Sequence, residues 1–183
     1  MEGQHPNDLY YINQGSVKTY KVNYDGKELI TGIHREGDFV GYVPLLENKP
    51  YSENAEALEE SKISIINKNE FLELVYSSRE VAQKFIKMLS KDLEETESRL
   101  LDIAYQSVRQ RVAIALLKIN EQFAKSAKDA VITVARKDIS NIVGTATESL
   151  NRTLADFKEE GLVEILDEGL KIRNKVKLES LVH

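Results

Sequence analysis

Glu148 and Arg152 stand four residues apart in the stretch Thr147-Glu-Ser-Leu-Asn-Arg152, one turn apart if that stretch is helical. These residue types at this spacing suit one kind of chemistry. An arginine offers two parallel N–H donors that match O6 and N7 of guanine. A glutamate accepts from N4 of cytosine, and Asn151 between them reaches adenine or a phosphate. Thr147 and Ser149, at the helix start, are suited to phosphate oxygens, as is Arg136 at the start of a preceding helix. The same residues have plainer uses. Thr145-Ala-Thr-Glu148 has the form of a capping box, Glu148 and Arg152 would pair on any solvated helix, and Arg136 would serve as a surface arginine. Other chemistries are poorly supplied. The chain has no cysteine, which excludes disulfides, thiolate metal sites, iron–sulfur clusters and a cysteine nucleophile. His5 and His183 lie beside the chain ends and His34 is alone, so no metal site is assigned. No Ser/His/Asp set or glycine-rich phosphate loop is present, no catalytic residue is assigned, and an enzyme is the weakest reading.

The elements around these residues are those a DNA reader needs. Val131–Val134 reads as a small strand and Arg136–Val143 as a helix with Ile139, Ile142 and Val143 inward. Gly144 stands where a left-handed helix end is wanted. The next helix has Leu150, Leu154 and Phe157 as its buried stripe and ends at Gly161. Val163–Leu166 and Leu170–Arg173 make a hairpin around Asp167-Glu168-Gly169, and Lys175–Val182 a last short helix. Helix, tight turn, helix and hairpin form a winged helix-turn-helix, whose second helix enters the major groove.

Before it lies a long helical pattern. Ala82, Ile86, Leu89, Leu93, Thr96, Leu100 and Ile103 recur at spacings of four and three, flanked by charged residues. This is a narrow heptad seam and predicts a dimer helix, with Ile86, Leu89, Leu93, Thr96, Leu100 and Ile103 at the interface. Thr96, its polar member, marks a point about which the paired helices could rotate to reposition the readers. After Ser107 the set Val108, Val112, Ala115, Leu116 and Ile119 predicts a separate helix that ends before a loop at Ala124–Asp129.

The N-terminal stretch reads as antiparallel sheet. Leu9–Ile12, Ser16–Val22 and Glu28–Ile33 are rich in β-branched and aromatic residues. Asp25-Gly26 is a hairpin signal, and Glu36-Gly37-Asp38 a turn before Phe39–Gly41. Glu53–Leu58 and Lys62–Ile66 are expected as a further strand pair, and His34 as a surface residue in the Ile33–Glu36 turn. The predicted fold class is α+β: an antiparallel β-roll, an incomplete jelly roll, over residues 1–78; a dimerisation helix over 79–106; and a winged helix-turn-helix over 107–183. With no run of about 18 apolar residues and no basic-then-apolar leader, no membrane association is expected and the cytoplasm is the expected location. The formal charge of −5 gives DNA binding no help, but it divides as −6 over residues 1–78, +2 over 79–130 and −1 over 131–183. The acidity sits away from the reader.

In order, these stretches resemble the Crp/Fnr family of bacterial transcription regulators. The resemblance rests on Leu9-Tyr-Tyr-Ile with Gly15-Ser-Val, Asp25-Gly-Lys-Glu28, Glu36-Gly-Asp-Phe-Val-Gly41 and Ala55-Glu-Ala-Leu58. It rests most on Asp138-Ile-Ser-Asn-Ile-Val-Gly144 followed by Thr147-Glu-Ser-Leu-Asn-Arg152. It implies a homodimer on palindromic double-stranded DNA, with Glu148 and Arg152 reading a G·C pair in each half, and RNA polymerase as a partner. Asn151 replaces the serine of the oxygen-responsive branch. Exposed loops such as Leu46–Lys49 are the kind of surface a polymerase would meet. The family's roll has strands ahead of Leu9, so the sequence is expected to be an N-terminally short type, or the C-terminal piece of a longer regulator. The effector pocket is also altered. The family's ribose and phosphate positions hold Gly41-Tyr42 and, near the phosphate-binding arginine, Glu53 or Asn54. A carboxylate there repels a phosphate, so cyclic AMP is not expected and no cofactor is assigned. The competing readings are a dimeric interaction module that does not bind DNA, and a sensor that requires an unidentified small molecule. Ala135, in place of a threonine cap, is expected to cost about 1 kcal/mol locally.

Overall fold

The structure, a computed structural model, describes residues 2–123 and 131–182. His183 and the loop expected at Ala124–Asp129 lie outside the described residues. The chain divides into two compact units, Met1–Glu95 and Thr96–His183.

In the first unit, β1 (Asp8–Gln14), β2 (Ser16–Val22), β3 (Glu28–Arg35) and β4 (Phe39–Val40) follow in close succession. The expected Asp25-Gly26 turn joins β2 to β3, and Gly26 takes φ 74°, which a residue with a Cβ adopts only at a cost. After α1 (Tyr42–Glu47) come β5 (Asn54–Ala57), β6 (Lys62–Asn67) and α2 (Lys68–Ser77). The strands form two antiparallel three-stranded sheets, ordered β4-β1-β6 and β3-β2-β5. The expected β5–β6 pair is therefore not formed. Thr19 lies opposite both Gly32 and Ala55, whereas Tyr10 lies opposite both Val40 and Ile65. Each central strand recruits a distant partner because hydrophobic pattern alone does not fix which strand pairs with which. The start of β2 does not alternate between faces in its burial: Ser16, Val17, Lys18 and Thr19 are all buried. Lys18 is accommodated by an ion pair to Glu56 at 3.1 Å.

Two helices were not expected from sequence. α1 is short and starts at Gly41, whose φ is 87°; it takes in Leu46 and Glu47, so the exposed loop expected at Leu46–Lys49 is in part helix. α2 begins where the Asn67 side chain accepts from the Asn69 N–H, an ordinary helix cap. Leu9, Tyr42, Leu45 and Phe71 form a core with Phe85 of α3 (Arg79–Tyr105). The Phe85 ring lies 5.0 Å from Phe71 and 5.6 Å from Phe39. α3 buries Phe85 but leaves its heptad residues outside. Ile86 is 62% exposed, Leu93 60% and Leu100 66%.

In the second unit, α4 (Val108–Phe123) follows the break at Ser107, then α5 (Arg136–Val143), α6 (Thr147–Glu159), β7 (Val163–Leu166), β8 (Gly169–Ile172) and α7 (Lys175–Glu179). The last helix is thus shorter than Lys175–Val182. The strand expected at Val131–Val134 reduces to a single bridge, in which Ile132 and Leu170 exchange backbone hydrogen bonds of 2.7 and 3.0 Å. The capping box is not formed. α6 starts at Thr147 with Ala146 as its cap residue and no side-chain cap. α5 likewise starts after Ala135 without one. Val112, Leu116, Ile119, Ile132, Ile139, Val143, Leu150, Leu154, Phe157, Leu162 and Leu170 make one buried core.

Gly144 ends α5 at φ 69° and ψ 47°, and its N–H donates to the Ser140 carbonyl. A side chain in this left-handed conformation costs roughly 1–2 kcal/mol. Gly144→Ala is expected to lower the unfolding free energy by about that amount in a urea titration followed by circular dichroism. An unchanged midpoint would show that the turn does not need this conformation.

Candidate nucleic-acid interface

The face α6 presents follows from the face it buries. Leu150, Thr153, Leu154 and Phe157 are buried at helical spacing, which turns Glu148, Asn151, Arg152 and Asp156 outward, and all four are exposed. Both plainer uses of Glu148 fall away: it closes no capping box, and among the described residues no ion pair or side-chain hydrogen bond holds Glu148, Asn151 or Arg152. Their donors and acceptors are available to a ligand. No helix of the described residues is long and apolar enough to cross a membrane.

Three contacts fix how α6 is held. At its start the Thr147 hydroxyl lies 3.1 Å from that of Ser140, a buried residue of α5 whose hydroxyl also lies 2.8 Å from the Lys137 carbonyl. At its end Glu160 receives both oxygens' worth of hydrogen bonding from Arg109 of α4, at 2.7 Å each. The same guanidinium lies 4.6 Å from the centre of the buried Phe157 ring, a cation–π contact. Ser149 is half-buried and its carbonyl accepts from Thr153. Arg136, in the first turn of α5, is also half-buried; its Nη1 is buried without a partner among the described residues, and burial lowers its pKa. Of the six residues picked from sequence, α6 brings Thr147, Glu148, Ser149, Asn151 and Arg152 together, and Arg136 stands on the neighbouring helix.

The four residues picked for an effector pocket are not all assembled. Asn54 turns to Glu2, exchanging hydrogen bonds of 3.1 and 3.2 Å. Gly41 lies against Tyr51, where an added Cβ would stand 3.3 Å from the ring; burial pushes the Tyr51 hydroxyl up to about 12. Tyr42 is buried and donates to Asp92 of α3, and burial followed by that hydrogen bond raises its pKa. Glu53 accepts from the Thr31 hydroxyl at 2.6 Å.

Glu53 belongs to a network that the sequence did not reveal. His34 is not in a surface turn but on β3, with Nε2 3.2 Å from the Thr19 hydroxyl, which lies 3.0 Å from that of Thr31. A register shift in the β2–β3 ladder leaves Thr31 as an extra residue, since Thr19 faces Gly32 and Tyr20 faces Ile30. Such a bulge re-aims a side chain. Gly32 is needed as well, because a Cβ there would stand 2.8 Å from His34 Nε2. Each hydroxyl has one hydrogen, so Thr31 donates to Glu53, Thr19 to Thr31, and an Nε2–H of neutral His34 to Thr19. Burial lowers the His34 pKa, opposed by the charges of Asp38, Glu53, Asp92 and Glu95. The surroundings are anionic, unsuited to a phosphate.

Comparison with known proteins covers both units. Residues 1–78 match the cyclic nucleotide-binding domain family and residues 110–181 the Crp-like helix-turn-helix domain family. The chain is 26% identical over 178 residues to the anaerobic regulatory protein of Bacillus subtilis, covering 95% of this chain and 75% of that one. It is 26% identical over 182 residues to the fumarate and nitrate reduction regulatory protein of Yersinia pestis, covering 98% and 72%. Its fold is similar to that of FixK2 from Bradyrhizobium japonicum, with a TM-score of 0.87, 24% identity, and coverage of 100% and 90%.

The lowered pKa of His34 sets the sign of a pH effect. Neutral His34 contributes stability above its unfolded value of about 6.5, and that contribution is lost as pH falls through the lower folded value. Calorimetry is expected to show a melting temperature that falls between pH 7 and pH 5, and His34→Gln is expected to flatten part of that fall. Equal slopes for the two proteins would contradict the assignment.

Proposed function

Because the chain belongs to the Crp/Fnr family of DNA-binding transcription regulators, we propose that it binds a palindromic operator as a homodimer. Each protomer reads one half through Glu148, Asn151 and Arg152 of α6. The observation that carries this reading is the free polar face of α6 opposite a fully buried stripe. Arg152 donates to guanine O6 and N7, Glu148 accepts from cytosine N4, and Asn151 reaches an adjacent base. Thr147, Ser149 and Arg136 lie where the helix starts approach the backbone, and their roles are phosphate contacts that set register.

Dimerisation is supported by α3. Ile86, Leu89, Leu93, Leu100, Leu101 and Ile103 are all more than a third exposed on this helix. An apolar seam left in water is covered in a coiled-coil pair, with Thr96 as its polar member. A second protomer also meets an energetic need: one base pair well read is worth about 1–3 kcal/mol, too little for an operator unless it is repeated. In a two-fold dimer the readers lie about one DNA turn apart, roughly 34–36 Å.

Residues 1–78 form the effector-type roll, 79–106 the dimerisation helix and 107–183 the DNA-binding part. The roll does not take a cyclic nucleotide phosphate, since the charges of Asp38, Glu53, Asp92 and Glu95 all act at His34. The regulator acts in the cytoplasm with RNA polymerase as its downstream partner.

Arg152→Ala tests base reading. Fluorescence anisotropy with a duplex carrying the operator is expected to show a loss of about 1–3 kcal/mol per half-site read, with binding to unrelated duplex unchanged and the dimer intact by light scattering. Unchanged operator affinity would place the reading elsewhere.

A further inference from the structure

α5 ends against a turn that cannot continue its hydrogen bonding. The N–H groups of Gly144 and Thr145 both return to the Ser140 carbonyl, which leaves the later carbonyls of Ile142, Val143 and Gly144 in need of other donors. Two arginines from two other helices supply them. Arg111 of α4 donates through Nη1 to Val143 O at 2.8 Å and Gly144 O at 3.3 Å. Arg99 of α3 donates through Nη2 to Ile142 O at 2.9 Å. Both are charge-assisted bonds at the negative end of a helix dipole, and Arg99 is well withdrawn from water, half-buried on a helix whose neighbouring residues Glu97 and Leu100 are exposed.

The origins of the two arginines differ in consequence. Arg111 lies within the helix-turn-helix part and braces it internally. Arg99 sits between Thr96 and Leu100, on the helix whose exposed residues form the seam. Its hydrogen bond ends two residues before Gly144, on the helix whose Ser140 holds Thr147 at the start of α6. Two short polar contacts, both made by α5, therefore link the C-terminal part of α3 to the start of the reading helix through the backbone between Ser140 and Ile142.

We propose that Arg99 is a positioning residue for DNA reading: by holding the Ile142 carbonyl it sets the angle of α5 and α6 on α3. It thereby fixes the separation of the two reading helices in the dimer. Arg99 touches no base. Its contribution appears only when two half-sites must be engaged at once, because the second binding event then depends on geometry as well as on contacts. The inference rests on the dimeric reading proposed above.

The test uses the full chain, the duplex recovered by selection with the wild-type protein, the same duplex with one half scrambled, and the same duplex with one base pair inserted at its centre. Arg99→Ala is expected to bind the single half-site within about twofold of wild type and to lose about tenfold on the complete palindrome. It is also expected to bind the lengthened palindrome as well as the original one. Arg99→Lys, which restores a donor and its charge, is expected to recover most of the loss. Wild-type affinity of Arg99→Ala on all three duplexes would overturn the proposal. So would equal losses on half-site and palindrome, with or without a lower melting temperature, and so would a failure of Arg99→Lys to recover when its melting temperature is that of wild type. A wild-type protein that binds the palindrome no better than one half-site would overturn the dimeric reading itself, and this inference with it.

Discussion

The burial of one stripe of α6 is the constraint from which its exposed polar face follows. Leu150, Leu154 and Phe157 are each 1% exposed or less, and removing side chains of this size from water contributes roughly 1.5–3 kcal/mol apiece. Rotating the helix by one residue, about 100°, would expose that stripe and turn Lys158 or Asp156 into the core without a partner. Both changes are costly, since a buried unpaired charge is not tolerated. The polar face is therefore held outward by packing, with no help from caps: neither α5 nor α6 has a side-chain cap. On the reading proposed above, preorganisation of this kind would let a few side chains discriminate between bases, because their orientation is settled before DNA arrives.

The rest of the C-terminal part keeps that stripe registered. Gly144 makes the sharp turn, the Ser140–Thr147 hydroxyl contact ties the helices across it, and Arg109 clamps the far end through Glu160 and Phe157. The wing folds back through the Ile132–Leu170 bridge and the pairing of Val163 with Ile172. In the N-terminal unit an equivalent role falls to Phe85, which packs on Phe39, Tyr42 and Phe71 while the opposite side of α3 stays in water. One helix thus serves two purposes, packing on its own unit and offering a seam.

What could be seen in the sequence was what depends on local periodicity. The boundaries of β2, the helix at Arg136–Val143, the left-handed Gly144 and the buried stripe of α6 are all written in neighbouring residues. What could not be seen depends on contacts distant in sequence. β5 and β6 read as a pair because they are adjacent, yet they join different sheets. The network of His34, Thr19, Thr31 and Glu53 depends on a bulge at Thr31 and on the missing side chain of Gly32, and neither has a signature in one strand alone. Thr145 and Glu148 matched a capping pattern, but the helix begins one residue later than that pattern requires, with Ala146 in the cap position. The contacts of Arg99 and Arg111 with the end of α5 likewise join residues more than thirty positions apart.

The central claim is that a dimer reads a palindrome through α6 without a nucleotide effector. Selection of bound duplexes from a random DNA pool, with the protein alone, tests it most directly. A palindrome with a G·C pair in each half and half-sites about one helical turn apart is expected. Recovery of no specific sequence, or of one that appears only after cyclic AMP is added, would contradict it.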